Sequence, residues 1–152
     1  MEIKSNEINS VDLMITNQCN MDCSYCFHPK SDETMTTVDG IKILDKLKEI
    51  SPDAMNLTFF GGEPLLYPVV VYDIACYAKQ LWKEKAGFFM STNGTYFDKE
   101  MFEKYKKLGF EMQVSIDGDE LTTNEHRGNF KLITDNIKKM MEVFIVSLMI
   151  DT

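Results

Sequence analysis

The stretch VDLMITNQCNMDCSYC, residues 11–26, joins two patterns that decide the fold of this 152-residue chain. Its first six residues, Val11 to Thr16, have the composition of a β-strand. The residues that follow are rich in Asn and Asp, which predicts a loop. Cys19, Cys23 and Cys26 lie within eight residues of that loop. The first predicted strand therefore leads directly into a dense group of thiols.

Helix patterns alternate with strand patterns along the rest of the chain. A capping box over Thr36 to Asp39 predicts the start of one helix, and a second follows Pro68 and should end near Ala86-Gly87. Asp98 is a typical N-cap for a third helix, and a fourth spans roughly Asn129 to Met141. The remaining strand patterns are Met55 to Phe60, Phe88 to Ser91, Phe110 to Ile116 and Val143 to Ile150.

This alternation predicts an α/β fold, because parallel strands are joined by right-handed helical crossovers. The strands are nearly continuous in apolar residues, which suits a sheet covered on both faces or closed towards a barrel. We therefore expect a partial (β/α) barrel of about five parallel strands and four helices. Residues 1–152 should form it as a single domain.

Polar and glycine-containing segments follow each of the first four predicted strands. Besides the cysteine segment, they are Gly61 to Pro64, Thr92 to Gly94 and Asp117-Gly118. Reactive groups of parallel α/β folds gather at the carboxyl ends of the strands, so these segments should meet at one edge of the sheet.

Charge and cysteine usage exclude several classes of function. The 16 Lys and Arg against 24 Asp and Glu give a net charge of −8, which disfavours nucleic acid and anionic membranes as partners. No apolar run reaches the roughly 18 residues of a membrane span, and the first ten residues lack the pattern of a signal peptide, so we expect a cytoplasmic protein.

Cys76, on the second predicted helix, is expected to be a packed free thiol.

The spacing of the three clustered cysteines leaves two kinds of metal site open. Thiolates at C-x-x-x-C-x-x-C spacing can bind three corners of a cubane iron–sulfur cluster and leave one iron without a protein ligand. The alternative is structural zinc, completed by His28 as a Cys3His site. The companion motifs at the other strand ends favour iron–sulfur, because a zinc site does not require them.

The spacing resembles the signature of the radical S-adenosylmethionine (SAM) superfamily. The segment Cys19-Asn20-Met21-Asp22-Cys23-Ser24-Tyr25-Cys26 matches it, including an aromatic residue before the last cysteine. The resemblance extends to Gly61-Gly62-Glu63-Pro64, Ser91-Thr92-Asn93-Gly94 and Ser115-Ile116-Asp117-Gly118. Together these motifs are similar to the branch that contains sulfatase-maturating enzymes and peptide maturases.

The resemblance implies a [4Fe-4S] cluster held by Cys19, Cys23 and Cys26, whose open iron chelates SAM and passes it one electron. The 5′-deoxyadenosyl radical that results removes a hydrogen atom from the substrate. A flavodoxin- or ferredoxin-type electron donor and a peptide or protein substrate are the implied partners. The cofactors supply the reactivity, and the protein positions them and excludes solvent.

The same resemblance assigns individual residues to SAM. Gly61 and Gly62 would let the backbone approach its methionine part, and Glu63 would accept a hydrogen bond from its ammonium group. Arg127 would pair with its carboxylate. The other candidate cofactor-binding residues are Tyr25, Pro64, Ser91, Asn93, Ser115 and Asp117. We read His126 as a histidine in a surface loop rather than as an acid or base.

The family core has six β/α units, whereas the pattern here ends after a fifth strand at Asp151-Thr152. We therefore expect a core truncated at its C-terminus, with open strand edges that associate with another copy or with a partner chain. Two other functions remain open: a noncatalytic subunit that binds the cluster or SAM, and a zinc-stabilised interaction domain.

Overall fold

The computed structural model describes residues 8–150, which form one five-stranded parallel sheet in the order β1-β2-β3-β4-β5. The described elements are β1 (Ser10–Thr16), α1 (Thr37–Ile50), β2 (Met55–Gly61), α2 (Pro68–Trp82), β3 (Ala86–Thr92), α3 (Lys99–Leu108), β4 (Phe110–Ile116), α4 (Glu120–His126), α5 (Phe130–Met141) and β5 (Val146–Ile150). Because consecutive strands are neighbours throughout, the carboxyl ends of all five lie along one edge of the sheet. The predicted α/β partial barrel is confirmed.

Local signals place both ends of α3 and the start of α1. The Thr36 side chain accepts a hydrogen bond from the backbone of Asp39, whose side chain in turn accepts from the Thr36 backbone, so α1 begins at the predicted capping box. Asp98 caps α3, and Gly109 ends it in a left-handed conformation with φ of 87°. Side-chain caps and a terminal glycine thus act as the sequence predicts.

The α-helical part of α2 ends at Trp82, four residues before the expected end near Ala86-Gly87, and a 3-10 turn over Lys83–Lys85 fills the interval. The Trp82 indole N–H donates to the buried Ser51 carbonyl at 2.8 Å, and Lys83 ends the α-helix with a positive φ of 53°. Gly87 already belongs to β3, beside Asn56 of β2, and a Cβ there would come within 2.2 Å of the Asn56 side-chain oxygen. Gly87 is therefore a strand residue beside the Asn56 side chain rather than a helix cap.

A fifth helix, α4, replaces part of the loop expected before α5. Asp119 caps it by accepting from the Thr122 backbone N–H at 2.9 Å. The helix has seven mostly polar residues and buries only Thr123, so it carries no apolar periodicity to detect. Gly128 and Asn129, both with positive φ, separate it from α5. The predicted count of four helices was therefore one too few.

The last strand is shorter than expected and starts at Val146 rather than at Val143. Val143 is buried in the core, but its N–H and that of Phe144 both donate to the Met140 carbonyl at 2.8 Å. This turn ends α5 and delays the extended conformation.

The main core lies between one face of the sheet and the helices. Alternate strand residues enter it, among them Phe59, Phe88 and Phe110, whose rings pack at centroid distances of 5.1–6.4 Å. The opposite face carries Asn56 and Thr58, which are exposed and half-buried. This packed layer fixes the strands and therefore the positions of the loops at their ends. No helix within residues 8–150 has the length and apolar character needed to cross a membrane.

Candidate functional site

The loops after β1, β2, β3 and β4 meet at the carboxyl edge of the sheet, where the sequence places its motifs. The first contact is between backbones. Gly62 N–H donates to the Thr16 carbonyl and Glu63 N–H donates to the Gln18 carbonyl, both at 2.8 Å. A Cβ on Gly61 would lie 2.3 Å from the Thr16 oxygen, and one on Gly62 would lie 2.1 Å from the Gln18 oxygen. The two glycines are therefore needed for close contact with the end of β1 and with the loop after it, which carries Cys19, Cys23 and Cys26 and is called the cysteine loop below. This holds whatever their predicted role towards SAM.

Glu63 is a buried carboxylate that joins two loops. Its Oε1 accepts from the Leu65 N–H at 2.9 Å and the Thr92 hydroxyl at 2.7 Å, and its Oε2 accepts from the Asn93 N–H at 2.7 Å. Burial raises the pKa of Glu63, while the Asn93 and Leu65 N–H groups act in the opposite direction. The carboxylate is thus engaged within the chain, and its predicted contact with a SAM ammonium stays a prediction.

Tyr25, Asp117 and Arg127 form a second connection, between the cysteine loop and the end of β4. Asp117 Oδ1 accepts from the Tyr25 hydroxyl at 2.7 Å and from Arg127 Nε and Nη2 at 3.3 and 3.2 Å. Arg127 Nη2 also donates to the Tyr25 hydroxyl oxygen. Both members of the Asp117–Arg127 ion pair are buried, with 2% and 7% of their side-chain surface exposed. The structure therefore brings three predicted site residues into mutual contact.

Electrostatics within this group follow from its burial. Burial opposes the charge of Arg127, but its hydrogen bond to Asp117 raises its pKa above the ordinary value, so it stays cationic. Burial and the hydrogen bond to Asp117 likewise raise the pKa of Tyr25, which keeps its hydroxyl protonated as a donor. Asp117 Oδ2 is buried and has no hydrogen-bond partner within residues 8–150. A buried carboxylate oxygen of this kind is suited to accept from a ligand.

The unpredicted helix α4 also holds the cysteine loop. Ser24 N–H donates to the His126 carbonyl at 2.8 Å, and the Ser24 hydroxyl lies 3.1 Å from His126 Nδ1. His126 is therefore the last residue of α4 rather than part of a surface loop, although its side chain is exposed. Sequence reasoning missed this contact because only the short polar helix reveals it.

Lys30 is a second residue whose role no sequence pattern predicted. Its ammonium group donates to the Met21 carbonyl and to Asp22 Oδ1, both at 2.6 Å. The lysine thereby folds the end of the cysteine loop back onto its middle. No spacing pattern marks such a contact, because it depends on the path of the loop.

The three thiols differ in exposure. Cys19 and Cys23 are half-buried and Cys26 is exposed. Burial raises the pKa of Cys23, Arg127 lowers it, and the neighbouring Cys19 and Cys26 thiols raise it. No group of three or more Cys, His, Asp or Glu side chains within residues 8–150 is arranged to hold a metal.

The surroundings of the thiols nevertheless fit a thiolate-bound cluster. The Met21 N–H donates to Cys19 Sγ at 3.4 Å, and the charges of Lys30 and Arg127 interact with the thiols. N–H donors and nearby cations stabilise thiolate ligands. His28, the fourth ligand of the zinc alternative, has its ring stacked on Phe27 at 5.4 Å.

The remaining predicted site residues lie along the same edge. Asn93 and Ser115 are buried, Ser91 is half-buried near the end of β3, and Pro64 begins the buried turn after Glu63. Cys76 is apart from them as a half-buried free thiol on α2.

Comparison with known proteins places this geometry in a family. The family model of the radical SAM superfamily matches residues 13–151, so the chain belongs to that superfamily. Its relatives include a serine-type anaerobic sulfatase-maturating enzyme from Klebsiella aerogenes, 26% identical over 119 residues, or 72% of this chain and 29% of the relative. The resemblance stated from the motifs is confirmed.

The chain is also similar to a second enzyme in sequence and to a solved structure in fold. A GTP 3′,8-cyclase from Petrotoga mobilis is 31% identical over 95% of this chain and 46% of its own length. The solved structure of native anSMEcpe with bound AdoMet and the Cp18Cys peptide superposes with a TM-score of 0.77 at 20% identity, over 94% of this chain and 42% of that one, which shows the shared fold. The chain thus spans less than half the length of each of these proteins.

We predict that Glu63→Gln lowers the free energy of unfolding by about 1–3 kcal/mol at about pH 5. Both oxygens of the Glu63 carboxyl group can accept hydrogen bonds whether it is protonated or ionised, whereas glutamine has one side-chain oxygen, so its NH2 group would face the N–H of Leu65 or of Asn93. Chemical denaturation measures the difference. Glu125→Gln, at an exposed position of α4, is the matched control, and an equal cost in both variants would contradict the prediction.

The pH dependence of that difference has a definite sign. Because burial raises the pKa of Glu63 in the folded chain, the group adds stability below its ordinary value of 4.5, and this is lost as the pH rises through the raised pKa. The advantage of wild type over Glu63→Gln should therefore shrink between pH 4.5 and neutrality. An advantage that grows over this range would show that the carboxylate is stabilised in its charged form.

Proposed function

We propose that this chain binds a [4Fe-4S] cluster through Cys19, Cys23 and Cys26, binds SAM beside it, and cleaves SAM reductively to modify a peptide or protein. The observation that carries the proposal is the convergence of the thiol-bearing loop, the buried Asp117–Arg127 pair and the β2 and β3 loops at one sheet edge. The chemistry that a bound cluster and SAM would supply there is one-electron cleavage of the S–C5′ bond of SAM.

The residues of the chain would bind and orient the cofactors. Asp117 Oδ2 is free to accept from a hydroxyl or ammonium group of SAM. Arg127, which its hydrogen bond to Asp117 keeps cationic, would offset the charge of a Cys23 thiolate. Tyr25 fixes the last turn of the cysteine loop through its hydroxyl. Ser91 and Ser115 offer hydroxyl groups at the ends of β3 and β4. The backbone of Gly61 to Pro64 would contact the methionine part of SAM.

A peptide or protein is the substrate class that we propose, because the relatives include a sulfatase-maturating enzyme and the fold matches a protein solved with a peptide. We propose residues 1–152 as a single domain whose edge strand β5 associates with another copy of the chain or with a partner chain. The edge strand β5 supports this, since Leu148 and Met149 are exposed on it. A flavodoxin- or ferredoxin-type donor would supply the electron, in the cytoplasm, where thiols stay reduced.

We predict that alanine at Cys19, Cys23 or Cys26 abolishes the cluster, whereas Cys76→Ala leaves it intact. Loss of one thiolate from three exposes a second iron, while Cys76 lies on α2 away from the loop. Iron and sulfide content after anaerobic reconstitution measures the effect, with about four irons expected per wild-type chain. Loss of the cluster in Cys76→Ala, or its retention in Cys23→Ala, would contradict the ligand assignment. Zinc in place of iron would favour the interaction domain.

We also predict that Asp117→Asn weakens SAM binding by roughly ten- to a hundredfold while the cluster is retained. The change keeps the shape of the side chain but removes the charge and one acceptor oxygen, and a hydrogen bond to a charged group contributes about 1.5–3 kcal/mol. Equilibrium titration of the reconstituted chain with SAM measures the affinity.

The matched control for that titration is Asp119→Asn. Asp119 caps α4 from an exposed position two residues further on, and asparagine caps helices equally well. Its SAM affinity should equal that of wild type. An unchanged affinity in Asp117→Asn would remove Asp117 from the SAM site.

A further inference from the structure

Asn93 is bonded within its own chain through its backbone N–H, its Oδ1 and its Nδ2. Its backbone N–H donates to Glu63 Oε2, and its side-chain Oδ1 accepts from the N–H and the hydroxyl of Thr95 at 3.0 and 2.7 Å. These two donors orient the amide, because an exchanged NH2 group would face them instead of the oxygen. The Nδ2 group is therefore fixed on the side of the cysteine loop.

The fixed Nδ2 group has two acceptors there. It donates to Asn20 Oδ1 at 2.9 Å and reaches Cys19 Sγ at 3.8 Å, within the range of the large sulfur acceptor. Asn20 is also bonded to the loop after β3, since its Nδ2 donates to the Thr95 hydroxyl at 2.8 Å. Asn93, Asn20, Thr95 and the Cys19 thiol thus belong to one hydrogen-bonded network. Asn93 is buried within it.

We propose that Asn93 is a positioning residue that sets the reduction potential of the iron–sulfur cluster through its N–H···S contact with Cys19. This inference rests on the proposed cluster and deepens it. A hydrogen bond to a ligating sulfur withdraws electron density from the cluster and favours the reduced state, which carries more negative charge. A thiolate accepts more strongly than a thiol, so cluster binding strengthens the contact. Together with the Met21 N–H, it makes Cys19 a ligand with two donors.

The geometry also separates this role from binding of SAM. Both Oδ1 and Nδ2 of Asn93 are hydrogen-bonded within the chain. These bonds direct Nδ2 towards Cys19 and leave the amide little freedom to contact the hydroxyl or carboxylate groups of SAM. An effect on the cluster should therefore be visible without SAM.

The test is Asn93→Leu, which removes the donor and keeps a side chain of similar size. The midpoint potential of the reconstituted cluster is measured by redox titration with detection by electron paramagnetic resonance, in the absence of SAM. We expect a potential more negative than that of wild type, with wild-type iron content. Asn93→Asp, which keeps the shape and also lacks the donor, should shift the potential in the same direction.

The control is Asn136→Leu. Asn136 is a buried amide on α5 that donates to the Gly94 and Thr95 carbonyls at 3.0 Å, so its loss loosens the same loop without removing a donor to sulfur. Its potential should match that of wild type. A shift in Asn136→Leu equal to that in Asn93→Leu would assign the effect to the loop and overturn the proposal.

The remaining outcomes also decide the matter. An unchanged potential in Asn93→Leu with an intact cluster contradicts the inference, and loss of the cluster from both Asn93 variants makes Asn93 a structural residue of the loop. A wild-type chain that binds no cluster would instead refute the proposed function. The two failures are therefore distinguishable.

Discussion

The buried carboxylate of Glu63 is the interaction on which the rest of the site depends. It binds the β2 loop to the end of β3 through the Thr92 hydroxyl and the Asn93 N–H, while its own N–H holds the Gln18 carbonyl next to Cys19. One residue thereby sets the relative positions of three loops. A carboxylate is suited to this because it accepts several hydrogen bonds at once, and its burial makes each of them costly to break.

The cysteine loop itself contributes little to the core: Met21 is buried in it, and Cys19 and Cys23 pack against it from half-buried positions. Its conformation therefore depends on polar contacts at its margins: Ser24 with His126, Tyr25 with Asp117 and Arg127, and Asn20 with Thr95. Such an arrangement suits a loop that must present thiols to a cofactor, because hydrophobic packing would bury them. It also connects the surroundings of the three thiols to α4 and to the β3 loop.

The strands and the site motifs could be predicted from sequence because they follow local rules. The apolar runs predicted β2 to β4, the Thr36 capping box predicted the start of α1, and the cysteine spacing predicted the family. Helix α4 could not be found, since it is short, polar and stabilised by its cap and by contact with the cysteine loop. The inward direction of the Glu63 carboxylate and the partners of Lys30 also escaped prediction, because they depend on how separate loops meet.

The central claim is that these strand-end loops together support radical chemistry on SAM. The most direct test is detection of 5′-deoxyadenosine after the anaerobically reconstituted chain is mixed with SAM and a strong reductant. We predict its formation by the wild-type chain and its absence in Cys23→Ala, which lacks a ligand thiol. A wild-type chain that carries the cluster, binds SAM and forms no 5′-deoxyadenosine would contradict the claim and would favour a noncatalytic binding subunit.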